Sequence, residues 1–338
     1  MIGRRVVGTA LVAVIAGIGV LTLLSCFGRF AWPLDLLSFG RQHLLAASIV
    51  ATGAAVALRR HRATIPALLL VMANGLMLLP GWERGAAPAM AAVPDVRLRV
   101  LTLNVLVDNR HPTQVRCFLR ASDADVVALQ EVSSTWLREL AALRDIYPYT
   151  APSPDEGDSA TLVLSRLPII ETTRLQPPAG GILSDYDRPV RVLAKLGSRE
   201  VAIYAVHPPT PRSSEQWQIR NHQVEWLADI SRRLDGGRSR IMLGDFNTPP
   251  WSFLFTDLLS GAALRDATGG GLQWPTRQSM RAGKLRAWLG APVDHVLVSA
   301  DIAVSRVMIG PDVASDHLPV IADLRLAAPQ DSATNPAR

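Results

Sequence analysis

The chain has 338 residues, 49% of them hydrophobic and 19% charged, with two cysteines and a formal net charge of +6. That length exceeds one average domain, and so little charge with so much apolar content excludes a disordered chain and points to membrane segments. Two cysteines exclude a disulfide framework, and they form neither a CxxC redox motif nor a cysteine-rich zinc site.

The first 94 residues read as membrane. Val6 to Phe27 is an uncharged run of 22 residues, enough to cross a hydrocarbon core of about 30 Å. Ile65 to Trp82 is a second uncharged run of 18, ending on a tryptophan suited to the interface. Between them Leu44 to Leu58 has only 15 residues, so a spanning helix has to begin nearer Leu36, with Arg41 snorkelling outward. The expectation is a transmembrane region over 1–84, with helices at about 6–27, 36–58 and 65–82, and a Pro- and Ala-rich linker over 85–94. Arg4-Arg5 before the first apolar run and Leu23-Leu24-Ser25-Cys26 within it also fit a cleaved leader or a lipoprotein site. Two further apolar segments follow at once, which favours uncleaved helices.

This region also explains the net charge. Residues 1–94 hold eight arginines against Asp35 and Glu83, whereas 95–338 carry 27 cations and 27 anions. The excess sits beside apolar segments and speaks about orientation rather than nucleic acid. Arg4-Arg5 and the turn Arg59-Arg60-His61-Arg62 are the basic ends, so the positive-inside rule places the N-terminus in the cytoplasm. Residues 95–338 then lie outside it, on a multi-pass protein of the cell membrane.

After the linker, 97–105 alternates at period two and predicts a strand; 112–121 predicts a helix, 125–129 a buried strand and 133–143 a helix opened by a serine. Strands follow at 161–165, 168–173, 190–196 and 201–206, then a long amphipathic helix at 213–234. A strand at 240–243, a helix at 251–259 and strands at 293–299, 303–308 and 318–326 close the domain. This order predicts an α/β domain over 95–327 with two sheets, or one large sheet, covered by helices. The tail 328–338 reads as disordered.

Polar residues interrupt the apolar strands near their ends. Asn104 ends LTLNV, Gln130 and Glu131 lie in VVALQEV, and His207 follows VAIYAV. Asp245 and Asn247 lie in GDFNTPP, Asp294 and His295 in VDHVLVS, and Asp316 and His317 in SDHLPV. Carboxylates and amides at such positions are costly to bury unless they hold a cation or one another. Hard oxygen donors without a Cys/His cluster suit Mg²⁺ or Mn²⁺ better than zinc.

The series LNV, LQEV, GDFNTPP, VDHVLVS and SDHLPV, in that order over residues 97–326, resembles the endonuclease/exonuclease/phosphatase superfamily. That group includes deoxyribonucleases, abasic-site endonucleases, inositol polyphosphate 5-phosphatases and neutral sphingomyelinases. The apolar segments ahead of the domain resemble its membrane-attached bacterial branch. The resemblance implies a four-layer αββα sandwich with two mainly antiparallel sheets, and hydrolysis of a phosphoester by in-line attack of water. It implies Glu131 as the principal Mg²⁺ (or Mn²⁺) ligand, with Asn104 and Asp316 on the metal side. Asp245 would activate the water and Asn247 would hold it. His317, oriented by Asp294, would contact the phosphate, and His207 would serve the leaving oxygen. Arg188 is a weaker candidate for the substrate phosphate. Leu106 stands where several nucleases place an acidic residue, a departure that separates this chain from the abasic-site enzymes.

Each residue also has a plainer explanation: Glu131 as a cap, Asp245 to Asn247 as a turn before Pro249, His295 as filling of a strand face. His111 and His222 read as ordinary loop and helix residues, and Cys117 as a small apolar side chain. Six motifs in family order outweigh these explanations taken together. The substrate stays open between lipid head groups, nucleic acid and small phosphoesters; the expected partners are that substrate and the lipid bilayer. An extracytoplasmic nuclease is the alternative function, though a neutral domain whose only lysines are Lys195 and Lys284 does not advertise a grip on many phosphates. A catalytically silent binding module has no reason to keep such buried charges.

Overall fold

The computed structural model describes residues 2–79, 95–152, 161–176, 188–270, 272–279, 285 and 288–327. Four helices come first: α1 Ile2–Ser25, α2 Trp32–Phe39, α3 Arg41–Ala57 and α4 His61–Leu78. Two of them, over Val6–Ser25 and His61–Leu78, are long and apolar enough to cross a membrane by length and composition. They pack with α3 through small residues that permit close approach, Ala51, Ala55, Ala63 and Ala67, together with Ile15 and Ile18. Asn74 Nδ2 donates to Thr22 Oγ1 across α1 and α4 at 3.0 Å, in a buried position. Apolar side chains such as Val12, Leu23, Val50, Leu69 and Met72 point outward.

The second apolar segment differs from the single helix expected at 36–58. Pro33 sits in the first turn of α2, where a missing N–H costs nothing, and Gly40 caps that helix and starts α3. The chain therefore bends, and α3 keeps 17 residues. Arg41 does not snorkel outward: it is buried and donates to the Met77 sulfur. The third helix begins at His61 rather than near Ile65. The end of that expected helix, the linker and the tail lie outside the described residues.

Among the described residues the second part has twelve strands in two six-stranded sheets. One runs β11 (Ile302–Ile309), β12 (Val320–Ala327), β1 (Asp95–Asn104), β2 (Val126–Gln130), β4 (Thr161–Ser165), β3 (Tyr149–Ala151). The other runs β5 (Ile169–Arg174), β6 (Val190–Leu196), β7 (Arg199–Val206), β8 (Ser239–Asp245), β10 (Asp294–Val298), β9 (Arg265–Asp266). Pairing is antiparallel except for β1 with β2 and β7 with β8. The inner faces meet in one core, where Val100, Val126 and Leu324 face Val192, Ile203, Leu243 and Val298. Helices α5 (Pro112–Ala121) and α6 (Ser134–Leu140) cover the first sheet, with Leu119 and Trp136 buried against Leu103 and Leu129. Helices α7 (Ser214–Asp235) and α8 (Phe253–Ala262) cover the second through Val224, Leu227, Phe255 and Leu258. The layers are therefore helix, sheet, sheet, helix.

The local rules are visible. Ser133, Ser213 and Ser252 each accept a hydrogen bond from the backbone N–H three residues on, capping α6, α7 and α8. Gly244 lies where β8 runs beside β7, and a Cβ there would sit 2.0 Å from the Val206 carbonyl, so no other residue fits. Residues 149–151 and 265–266 form short edge strands that no sequence pattern announced.

Candidate active site

The polar residues singled out in the sequence converge because their strands end side by side. Asn104 pairs with Gln130 across β1 and β2, and Asp294 pairs with Asp245 across β10 and β8. Val206 pairs with Gly244, which carries the chain to His207 beside Asp245. Thr102 pairs with Val320, which brings the preceding segment, Ser315 to His317, to the end of β1. That segment is tied down by Ser315, whose hydroxyl donates to the Asn104 carbonyl at 2.7 Å.

Asp245 is the centre. Its Oδ1 accepts the Asn247 N–H at 2.9 Å, and its Oδ2 accepts Asn104 Nδ2 at 3.2 Å. The same Oδ2 lies 3.5 Å from His317 Nε2 and 3.7 Å from His207 Nε2. Burial opposes its ionisation, but His317, His207 and Arg277 more than offset this and hold the carboxyl below its usual range. His317 Nδ1 donates to Asp294 at 2.9 and 3.1 Å, which turns Nε2 toward Asp245. Burial disfavours the imidazolium, yet Asp294 and Asp245 outweigh it and push the His317 pKa up to about 9. Asp294 is itself fixed by Thr276, whose hydroxyl accepts the N–H groups of Val293 and Asp294.

On the other side, Glu131 accepts Asn104 Nδ2 at 2.9 Å and the Val107 N–H at 3.0 Å. Glu131, Leu106 and Asn247 all have left-handed backbone, with φ of 60°, 61° and 48°. For Glu131 and Leu106, which lack the short polar side chain or the freedom of glycine, this costs about 1–2 kcal/mol each. Such conformations gather where a surrounding structure fixes side-chain direction for function. Asp316 is mostly buried, and burial first, then Glu131 and Asp245, raise its carboxyl above the usual range despite His317 and Arg277.

Four buried polar atoms mark what the site can receive. Asp316 Oδ1, Asn247 Oδ1 and His207 Nδ1 have no hydrogen-bond partner, and neither does the Gln130 amide nitrogen. An orphaned carboxylate oxygen near Glu131 and Asp245 is the environment that a hard divalent cation satisfies. By proximity alone, Asp245, Asp294 and His317 also form a group with ligand atoms within 4.8 Å. Asp294 and His317 already satisfy one another, so a metal there would break a formed pair. The oxygen donors Glu131, Asp316 and Asn104 fit an Mg²⁺-type ion better.

Arg188 stands half-buried just before β6. His295 packs against Phe246 and Phe255 with Nε2 on the Thr248 carbonyl, so it fills a strand face as expected. His222 is exposed on α7, and His111 is exposed at the start of α5. Three contributors escape the strand-end pattern. Arg277 Nε lies 3.9 Å from Asp316, outside any of the strands. Thr276 was not singled out. Arg220 is wholly buried and donates to the Asn247 carbonyl at 3.0 Å and to Asp35 at 2.6 Å. Its signal was an arginine on the buried stripe of α7, in step with Gln223, Val224 and Leu227.

Two sheets flanked by helices thus bring carboxylates, amides and a His–Asp pair together where their strands end. Residues 101–317 match the profile of the Endonuclease/Exonuclease/phosphatase family, and the chain belongs to that family. Among solved structures, sphingomyelinase C from Streptomyces griseocarneus superposes with a TM-score of 0.52 at 20% identity, covering 68% of this chain and 99% of that one. An endonuclease/exonuclease/phosphatase from Bacteroides vulgatus gives 0.55 at 18% identity, covering 68% and 99%. A beta toxin variant from Staphylococcus aureus with bound magnesium ions gives 0.53 at 16%, covering 67% and 99%. These likenesses establish the shared fold. A search of curated proteins finds no match.

Proposed function

We propose that the protein is a membrane-anchored, divalent-metal-dependent phosphoesterase whose catalytic domain, residues 95–327, lies outside the cytoplasm. The observation that carries the chemistry is Asp245: a buried carboxylate kept ionised, beside an imidazolium and an amide oxygen with no partner. Asn247 is anchored through Nδ2 on the Pro208 carbonyl at 3.0 Å, which leaves Oδ1 free to accept a hydrogen bond from water. Asp245 then takes the proton of that water as its oxygen attacks phosphorus. His317, protonated at neutral pH by the company of Asp294 and Asp245, donates from Nε2 to a phosphoryl oxygen as charge develops there. His207, whose Nδ1 is unpartnered and whose Nε2 faces Asp245, is placed to donate to the leaving oxygen. Arg188 would meet the outer phosphate.

Glu131, Asp316 and Asn104 would hold the Mg²⁺ or Mn²⁺, and the ion when bound supplies positive charge against the phosphoryl oxygens. That a relative in this fold carries magnesium supports the same assignment here.

The membrane reading, with three passes made by α1, α3 and α4, rests on polar contacts turned inward and apolar side chains turned outward in those helices, the pattern lipid demands. The arginine bias favours a cytoplasmic N-terminus. The test is hydrolysis by purified full-length protein of bis(p-nitrophenyl) phosphate, plasmid DNA and phospholipid with Mg²⁺ or Mn²⁺. Activity on at least one, lost in Asp245→Asn, is expected; no activity on any of them overturns the reading.

A further inference from the structure

The helices preceding residue 80 form one wall of a cleft that reaches Asp316 at the edge of the candidate site. The stretch from the end of α1 to the first turn of α3 is fastened to the catalytic domain along its whole length. Arg29 donates to both oxygens of Asp257 at 2.9 and 2.8 Å and lies over the Phe253 ring. Trp32 Nε1 donates to the Pro211 carbonyl at 2.8 Å, and Arg220 reaches Asp35. Trp251 Nε1 donates to the Ser38 carbonyl at 2.7 Å, and Gln42 Nε2 to the Gln273 carbonyl at 2.6 Å. His43 Nε2 meets the Trp288 carbonyl at 2.6 Å, with its ring edge-on to that of Trp288.

Where these two parts meet there is a cleft of about 580 Å³, within the range of small-molecule sites. Phe39, Gly40 and His43 line one side; Arg277, Leu289 and Asp316 line the other. It therefore opens at Asp316, on the proposed metal side of the phosphoesterase site, and is bounded by the ends of α2 and α3. Large apolar side chains stand exposed in the segments around its mouth. Trp274 and Trp288 are 63% and 58% exposed, and Leu272, Leu285 and Leu289 are exposed as well. A water-facing domain does not leave tryptophans uncovered without reason, and tryptophan is the side chain that settles at a membrane surface. Because His43 and Gln42 open α3, the residues they hold lie level with the outer end of the apolar helices.

We infer that this cleft admits a membrane lipid carrying a phosphodiester, with its acyl chains left in the bilayer beside α3 and its phosphate reaching Arg277 and the site around Asp245. The inference rests on the phosphoesterase reading and on α1 and α4 lying in a bilayer. Arg277 supplies a cation for the phosphate, and Phe39 and Leu289 supply apolar walls for the glycerol or amide region. A lipid taken from the surface keeps its chains out of water throughout, which a cleft facing solvent could not arrange. In the reaction the oxygen of water bonds to phosphorus and one ester oxygen leaves with a proton, giving an alcohol and a phosphomonoester. A nucleic-acid strand is the competing substrate, and it asks instead for a row of cations along an open groove.

Full-length protein in liposomes of phosphatidylcholine and phosphatidylglycerol, with Mn²⁺, is assayed on its own bilayer lipid, on bis(p-nitrophenyl) phosphate and on plasmid DNA. The wild type is expected to release diacylglycerol or a head-group alcohol from the bilayer. Trp274→Ser combined with Trp288→Ser is expected to cut lipid hydrolysis at least tenfold and to leave the soluble diester within twofold. Leu285→Ser, a change at one exposed side chain, should lower lipid hydrolysis more mildly and leave the soluble diester within twofold, which covers a double variant that fails to fold. Hydrolysis of the soluble diester or DNA with no attack on lipid overturns the inference and leaves the phosphoesterase reading standing. Inactivity on all three substrates overturns both.

Discussion

Asp35 and Arg220 join the helical region to the catalytic site, and removing Asp35 tests how far the site depends on that junction. Arg220 is wholly buried and Asp35 nearly so, with Nη2 to Oδ2 at 2.6 Å. Taking one partner from a buried pair leaves a desolvated charge, at about 3–5 kcal/mol. The Asn221 side chain, at 2.8 and 3.1 Å, and the Asn247 carbonyl still accept from the guanidinium, so Asp35→Ala should cost about 3 kcal/mol, the low end of that range. For a domain of this size that is a fall of roughly 10 °C in melting temperature. Arg220 also fixes the Asn247 carbonyl, two residues from Asp245, so kcat on bis(p-nitrophenyl) phosphate should fall roughly 10- to 100-fold with KM within about twofold. A second variant separates stability from positioning. Asp35→Leu with Arg220→Met replaces the pair by apolar groups, a change that is neutral or stabilising by about 1–4 kcal/mol elsewhere. It should restore the melting temperature while kcat stays low, because the Asn247 carbonyl has lost its donor. An Asp35→Ala protein with wild-type melting, or a double variant with wild-type kcat, would refute the argument.

Asp245→Asn and His317→Asn should each lower kcat by about 10²–10⁴-fold, since each removes a proton-transfer or charge-stabilising group, and His317→Asn should also lower the melting temperature because Asp294 is left buried without its imidazolium partner. In Mn²⁺ titrations followed by calorimetry, Glu131→Gln should weaken binding at least tenfold and Asp294→Asn should leave it near wild type; the reverse order would assign the ion to the Asp245, Asp294 and His317 group instead. Asp235 gives a pH prediction far from the site. Burial works against its charge, but Arg191 and Tyr204 outweigh that and hold its carboxyl below the usual range. A depressed carboxyl stabilises the fold above its unfolded pKa of about 3.9 and loses that contribution as pH falls through the lower folded value, so Asp235→Asn should be less stable at pH 7 and lose less on acidification. Denaturant midpoints from pH 7 down to pH 3 would show equal slopes if the pair were inert. A reporter enzyme fused after Asp331 should be active only outside the cytoplasm; activity inside would reverse the topology.

Much of the catalytic domain was legible because its signals are local. Helix 112–121 and the strands at 161–165 and 190–196 were read to the residue, since a strand alternates or runs apolar over a few positions and a helix repeats at 3.6. Asn104, Glu131, Asp245, Asp294 and His317 stood out for the same reason: each is a polar side chain at the end of an apolar run. Their convergence followed from the family order of motifs and is now visible as strand pairing. The edge strands at 149–151 and 265–266 were missed because two or three residues carry no period.

Read along the chain alone, the residues show a +6 excess confined to the first 94 positions, an α/β domain behind apolar helices, and the residue types of a phosphoester hydrolase. Tertiary structure decided what depends on partners far apart in the chain. It broke the second apolar segment at Gly40, drew Arg41 inward, and set Asp35 against Arg220 across 185 positions. It also brought Arg277 to Asp316 and closed a cleft between the helices and the site. Hydrophobic period and capping act between neighbours and can be read along the chain. A buried ion pair or a shared wall exists only once two distant segments have been brought together, and no local pattern records it.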